Sequence, residues 1–317
     1  MNTMLKAPSA TFHIGGDLPV RRLGYGAMYL TGPGMWGPPT DPDAAIRLLR
    51  RAVDLGVNFI DTADSYGPAT NEQIIRRALH PYPAGLVITT KGGLLRSGPE
   101  DWTNRDKPYI VPCGRPAYLR QQVELSLRNL GLERIELYQL HRIDPAVPLA
   151  DQLGELVRLR EQGKIRHIAL SGQPEVTIEQ LEKARAITDI VAVENLYNVA
   201  DRAGEPVLRY CEQRGIAFIP WFPMGHGALA GPNSILTGFA KRRGATPAQL
   251  ALAWLLHKSP AILAIPGTSS LTHLEENLRA AELSLDEKEM TELANLAASV
   301  PTWRPTPPTS STKKEVA

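Results

Sequence analysis

Asp41–Asp61 reads DPDAAIRLLRRAVDLGVNFID, and it contains one complete unit of the chain's design. Asp41 suits an N-cap and Pro42 the first helical position. Ile46, Leu49 and Val53 follow at helical spacing. Gly56 stands where a helix ends in the left-handed conformation. A short apolar run, Val57–Ile60, comes next and is closed by Asp61. The same succession of helix, glycine and strand returns elsewhere. Leu130-Gly131, Glu161-Gln162-Gly163 and Gln213-Arg214-Gly215 each end a helical stretch, and a β-rich run follows closely after the last two.

Further β-rich runs are Arg22–Tyr25, Leu86–Thr90, Ile135–Leu140, His167–Leu170, Ile190–Val193, Ile216–Pro220 and Ile262–Ile265. They are near-continuous apolar segments, as expected of parallel strands buried on both faces. Eight strand–helix units over about 280 residues predict an α/β fold, a single closed (β/α)8 TIM barrel. A doubly wound sheet is the rival. Its usual Gly-x-Gly-x-x-Gly turn is incomplete here, because Gly24-Tyr25-Gly26-Ala27-Met28-Tyr29 lacks the third glycine. The barrel is expected to occupy residues 1–300, and the Pro/Thr/Ser-rich residues 301–317 to form a flexible tail. Two long loops, Gly92–Pro116 and Trp221–Ser234, fall on the strand C-terminal side, where barrels build their pockets.

Composition narrows the function. The 317 residues carry 35 Lys+Arg against 33 Asp+Glu, a formal charge of +2, which argues against a nucleic-acid or membrane-surface binder. Cys113 and Cys211 are too far apart in sequence for a disulfide framework or a paired-cysteine metal site, so no metal is expected. No apolar run approaches the ~20 residues needed to span a bilayer, and Met1 to Phe12 has no signal-peptide core. The expectation is a cytoplasmic monomer or small homo-oligomer.

Four polar residues fall at or just past strand ends: Asp61, Tyr66, Lys91 and His141. Singly, each has an ordinary explanation as cap, packing, solvent-exposed or core residue. Jointly they come from the consecutive second, third and fourth strands, which a barrel makes neighbours. A free Tyr, with pKa ~10, exchanges protons poorly at neutral pH. A neighbouring Lys⁺ is expected to lower that pKa. A buried Lys needs a carboxylate, the role open to Asp61, and His141 can hydrogen-bond a substrate oxygen. The set suits protonation of a forming alkoxide.

The phrase Phe59-Ile60-Asp61-Thr62-Ala63-Asp64-Ser65-Tyr66-Gly67 resembles the signature of the aldo-keto reductases. Thr89-Thr90-Lys91, Gln139-Leu140-His141-Arg142, Glu194-Asn195-Leu196-Tyr197-Asn198 and Ile265-Pro266-Gly267-Thr268-Ser269-Ser270 resemble further motifs of that family, in the right order. Within it, the chain looks most like bacterial NADPH-dependent oxidoreductases and pyridoxal-reductase-like members. The resemblance implies hydride transfer from a reduced nicotinamide to an aldehyde or ketone. Tyr66 would be the general acid, tuned by Lys91 and Asp61, with His141 orienting the carbonyl. It further implies that Ser171, Gly172 and Glu194 meet the nicotinamide carboxamide, and that Trp221, Phe222 and Pro223 wall the ring. Pro266, Gly267, Thr268, Ser270, His273, Glu276 and Asn277 would hold the adenosine end, helped by a helix N-terminus.

Several positions depart from the family pattern. Gly172 replaces the usual Asn, Glu194 the usual Gln, Gly267 a familiar Lys and His273 a familiar Arg. The last two losses bear on NADP over NAD preference. NADPH is expected from family habit, with Lys241, Arg242 and Arg243 as another source of charge. The pocket wall is expected to include Met28, Met35, Trp36, Trp102, Tyr109 and Phe222, which would suit an aromatic or pyridoxal-like carbonyl substrate.

Other classes fit less well. None of the nine tyrosines has Lys four residues on, as short-chain dehydrogenases require, and the cysteines do not cluster as in zinc alcohol dehydrogenases. A paired-carboxylate glycosidase would need Asp61 and Glu194 free, whereas Lys91 is expected to pair the first. A nucleotide-sensing regulatory subunit is the contrasting non-enzyme reading, disfavoured by the presence of all four catalytic residue types.

Overall fold

The computed structural model describes residues 10–101, 103 and 108–301. Seven strands form one parallel sheet whose spatial order follows the chain: β1 Tyr25–Gly26, β2 Phe59–Asp61, β3 Val87–Gly92, β4 Ile135–Leu140, β5 Ile165–Ser171, β6 Ala192–Leu196 and β7 Ala217–Trp221. Residues 262–267 close the ring. They pair in parallel with Phe218 of β7 on one side and with Leu23 and Gly26 on the other. The Leu263 N–H donates to Phe218 O, and the Gly24 N–H to Ala264 O, both at 2.9 Å. The expected eighth strand is therefore a run of single bridges, and the expected first strand shortens to Tyr25–Gly26. The (β/α)8 barrel is as the strand pattern predicts.

Helices cover the outside: α1 Pro42–Asp54, α2 Thr70–Leu79, α3 Pro116–Leu130, α4 Leu149–Glu161, α5 Ile178–Arg185, α6 Glu205–Gln213, α7 Thr237–Arg243, α8 Pro247–Lys258, α9 Leu271–Leu278 and α10 Glu287–Ala297. The opening stretch behaves as its residues dictate. Asp41 accepts a bond from the Ala44 N–H at 2.8 Å, and Gly56 takes a φ of +91°. Residues 301–317 were expected to be a flexible tail; residues 302–317 lie outside the described residues.

An antiparallel hairpin, Thr11–Ile14 with Leu18–Arg21, plugs the N-terminal mouth of the barrel. Its Ile14, Leu18 and Val20 pack against Phe59, Val87, Leu137, Ala169, Ala192, Ala217 and Leu263. These strand residues form the lowest inward layer. Side chains alternate along a strand, so the same face two and four residues later carries Asp61, Thr89 and Lys91, Gln139 and His141, Ser171, and Glu194. An apolar floor thus supports a polar layer at the C-terminal end.

One expectation is corrected. Gly92–Pro116 is not irregular throughout, because Leu94–Arg96 pairs antiparallel with Ile110–Pro112. Burial of Leu94 and Tyr109 beneath this small hairpin gives it an apolar anchor.

Candidate active site

Lys91 is wholly buried at the end of β3, and its environment organises the site. Its Nζ lies 2.5 Å from Asp61 Oδ2 and 3.3 Å from Glu194 Oε2, and it donates to Thr62 O at 3.1 Å. The Gln139 amide donates to Asp61 Oδ1 at 2.9 Å and to Thr89 Oγ1 at 3.1 Å. Lys91 acts on the Tyr66 hydroxyl at close range, with Nζ 5.4 Å from the ring centre. The Tyr66 ring meets His141 edge-on, centroids 6.1 Å apart. The structure therefore brings Asp61, Tyr66, Lys91 and His141 together.

Electrostatics differ from expectation in one respect. Lys91 does pull the Tyr66 pKa down, but burial pushes it up by more, and the carboxyls of Asp61 and Glu194 add to the rise. The net shift is upward, so Tyr66 remains a phenol at neutral pH. Lys91 itself stays protonated, because Asp61 and Glu194 outweigh the cost of its burial. Burial, together with the positive charge of Lys91, Arg142 and Arg96, drives His141 well below its ordinary value. A neutral imidazole donates through one nitrogen only. Glu194 is pushed up to about 8 by burial and by the neighbouring Asp61. Its expected place beside the carboxamide is thus only half its setting, since it also belongs to the lysine cluster.

A cavity of about 540 Å³ opens above this cluster. Met28, Asp61, Tyr66, Glu194 and Trp221 line it, and Phe222, Pro223, Gly267, Thr268, His273, Glu276 and Asn277 extend its wall. The Trp221 indole N–H donates to Gly172 O at 3.3 Å, which fixes the ring. Phe222 is held at a φ of +52°, unusual for a bulky residue, with its carbonyl accepting from Asn198 Nδ2 at 3.1 Å. Ser171 is buried opposite Glu194 in the β5–β6 register. Gly172 has a steric reason to be glycine, since an added Cβ would sit 2.4 Å from Val176 N.

At the far end, Thr268 Oγ1 accepts from the Ser270 N–H at 3.1 Å, and Ser270 Oγ caps α9 by accepting from the His273 N–H at 3.4 Å. Both hydroxyls keep a proton to donate. Pro266 O accepts from Gly26 N and helps close the barrel. At 267, a Cβ would lie 2.9 Å from Gly26 O and 3.0 Å from the Tyr29 ring, so backbone and Tyr29 together occupy the space a longer side chain would need. Tyr29 Oη reaches on to His226 Nδ1 at 3.3 Å. Arg242 pairs with Glu292 at 2.5 Å and Arg243 with Glu289 at 3.0 Å, which tie α7 to α10. Lys241, Arg242 and Arg243 do not line the cavity, contrary to the suggestion that they charge it.

Of the expected pocket wall, Met28 and Phe222 line the cavity, whereas Met35, Trp36 and Tyr109 do not. Trp36 pairs with Gly67 next to Tyr66, and Tyr109 lies under Arg96 with its ring 5.2 Å from the guanidinium. Trp102 lies outside the described residues. Sequence reading assigned no role to Gln139, although it stands two residues before His141 on the same strand face. It also missed Tyr29, His226 and Thr246–Ala248, whose approach to the cavity depends on loop paths.

A family model described as the Aldo/keto reductase family matches residues 22–298. The chain belongs to that family. This aldo-keto reductase is an oxidoreductase, and its relatives agree. It is 49 % identical over 278 residues to an uncharacterized oxidoreductase of Schizosaccharomyces pombe, covering 88 % of this chain and 87 % of that one. It is 44 % identical over 295 residues to pyridoxine 4-dehydrogenase of Escherichia coli, covering 91 % and 99 %. The crystal structure of an aldo-keto reductase from Klebsiella pneumoniae in complex with NADPH superposes with a TM-score of 0.74 at 25 % identity, covering 93 % and 97 %. No helix among the described residues is long and apolar enough to cross a membrane.

Proposed function

We propose that this aldo-keto reductase reduces an aldehyde or ketone with NADPH, reversibly, and that Tyr66 is its general acid. The observation that carries this reading is Lys91, buried between two carboxyls and acting on Tyr66 at the wall of a deep cavity. A reduced nicotinamide bound there supplies the hydride. The cavity fits such a group: Trp221 gives a flat wall, Glu194 offers a polar partner for a carboxamide with Ser171 buried beside it, and the α9 N-terminus with Thr268 offers donors to phosphate. NADP(H) rather than NAD(H) is supported by the NADPH complex of the Klebsiella relative. No Lys or Arg is among the residues lining the cavity, so His273, hydroxyls and backbone N–H groups must recognise a 2′-phosphate.

Tyr66 holds its proton because its pKa is raised, and it releases that proton when negative charge develops on the substrate oxygen. Neutral His141 donates a hydrogen bond to the same oxygen. Lys91 stabilises the tyrosinate left behind, and Asp61 and Gln139 hold Lys91 in place. The substrate we favour is a planar aromatic aldehyde of the pyridoxal type. Similarity to the E. coli pyridoxine 4-dehydrogenase and the apolar residue Met28 at the cavity support this.

The test is NADPH consumption across a panel of aldehydes and ketones that includes pyridoxal. Tyr66→Phe should lose about 10²–10⁴ in kcat while the Kd for NADPH changes by less than about threefold. Full turnover by this variant would remove Tyr66 from its role. Failure to turn over pyridoxal would end the substrate assignment.

A further inference from the structure

Two buried carboxyls share one buried lysine in this site. Asp61 and Glu194 are 2 % and 4 % exposed, and Lys91 is fully buried between them. If all three were ionised, the cluster would bury a net negative charge, which is costly in so dry a place. One carboxyl must therefore hold a proton, and the geometry says which. Asp61 is the closer to Lys91, at 2.5 Å against 3.3 Å, and also accepts from the Gln139 amide at 2.9 Å. Glu194 Oε2 makes no well-formed hydrogen bond among the described residues, although Lys91 Nζ lies 3.3 Å away. Glu194 is also open to the cavity, which gives it a route to water.

We propose that Glu194 is the proton reservoir of the reaction, a positioning residue that acts on Tyr66 through Lys91. This rests on the carbonyl-reductase reading above. During reduction the Tyr66 O–H bond breaks and the substrate alcohol O–H bond forms. A Lys91 N–H proton then passes to the tyrosinate oxygen; the neutral amine turns about its Cε–Nζ bond and takes the Glu194 O–H proton across the 3.3 Å gap. The product state is neutral Tyr66, protonated Lys91 and a Glu194 carboxylate, which takes a proton from water once the oxidised cofactor has left the cavity. Oxidation runs the sequence backwards and needs Glu194 ionised at the start. The titratable groups facing Glu194 are Asp61 from β2, Lys91 from β3 and Tyr66 from the loop after β2. Gln139 from β4 is uncharged, and the register partners of Glu194, Ser171 on β5 and Ile219 on β7, do not titrate at working pH.

The test measures kcat from pH 6 to 10 in both directions, with the best aldehyde and its alcohol, for the wild-type protein and Glu194→Gln. In the wild type, reduction should fall about tenfold per unit above about pH 8, and oxidation should rise to a plateau around the same pH. Glu194→Gln should lose both limbs, while the Kd for NADPH of the wild type changes by less than about threefold across them. Retention of both limbs in Glu194→Gln overturns the proposal, as does a wild-type protein without them. Limbs that track the NADPH Kd assign Glu194 to cofactor binding and overturn it as well. Absence of any NADPH-dependent turnover at pH 6 in the wild type sinks the reductase reading, and the relay with it.

Discussion

Replacing Lys91 with methionine isolates the electrostatics of the site. The wild-type Asp61 carboxylate has two partners, Lys91 Nζ at 2.5 Å and the Gln139 amide at 2.9 Å. The variant keeps only the second, in a site where the Asp61 side chain is 3 % exposed. Burial already raises the Asp61 pKa, and Lys91 is the chief opposing influence. Without it Asp61 should be neutral when folded. An unfolded Asp titrates near ~3.9, and each pH unit is about 1.36 kcal/mol, so holding that proton costs about 4 kcal/mol at pH 7 and about 1.5 at pH 5. The sign follows from linkage. A carboxyl whose folded pKa lies above its unfolded one takes up a proton on folding, so stability is lost as pH rises from the unfolded value toward the folded one. Glu194 adds little to the difference, because it is already raised to about 8 in the wild type. Asp61 is already raised in the wild type, so urea unfolding followed by circular dichroism should show a deficit larger at pH 7 than at pH 5 by up to about 2.5 kcal/mol. An equal deficit at both values would mean that Asp61 stays ionised without Lys91. The charge coupling argued for the site would then be wrong.

Two further variants probe the scaffold behind the site. Burial and the neighbouring Glu72 push the Asp64 pKa well up, so the wild type loses stability as pH rises above ~4. Asp64→Asn removes that slope and should be more stable than the wild type by about 1–3 kcal/mol at pH 8 and close to it at pH 4, read by thermal unfolding. A larger gain at pH 4 would reverse the assignment. At Gly92, an added Cβ would lie 2.0 Å from Tyr138 Oη and 3.1 Å from Cζ. Gly92→Ala should cost about 1–3 kcal/mol, and Tyr138→Phe in the same chain should recover part of it; additive losses would rule out that contact.

Much of the site was legible because strand side chains alternate. Asp61, Lys91, His141 and Glu194 all share parity with apolar residues of the barrel floor, so the same count that finds the core finds the site. Gln139 was within reach of that rule and was given no role. Tyr29 and His226 obey no such period. They sit on loops after β1 and β7, and their meeting at 3.3 Å depends on backbone paths, including the φ of +53° at His226. The hairpin of Leu94–Arg96 with Ile110–Pro112 escaped for a similar reason, since each strand is only three residues long.

By itself the sequence determined the succession of strands and helices, the glycines that end the helices and the identity of the polar layer. Each of these depends on neighbours a few residues away. The tertiary structure alone decided how those polar groups behave. Lys91 faces two carboxyls rather than one, the Tyr66 pKa goes up rather than down, and Tyr29 takes the space beside Gly267. The physical reason is the same in each case. Charge, desolvation and steric exclusion depend on distance through space, and Glu194 reaches Lys91 only because the barrel closes the chain into a ring.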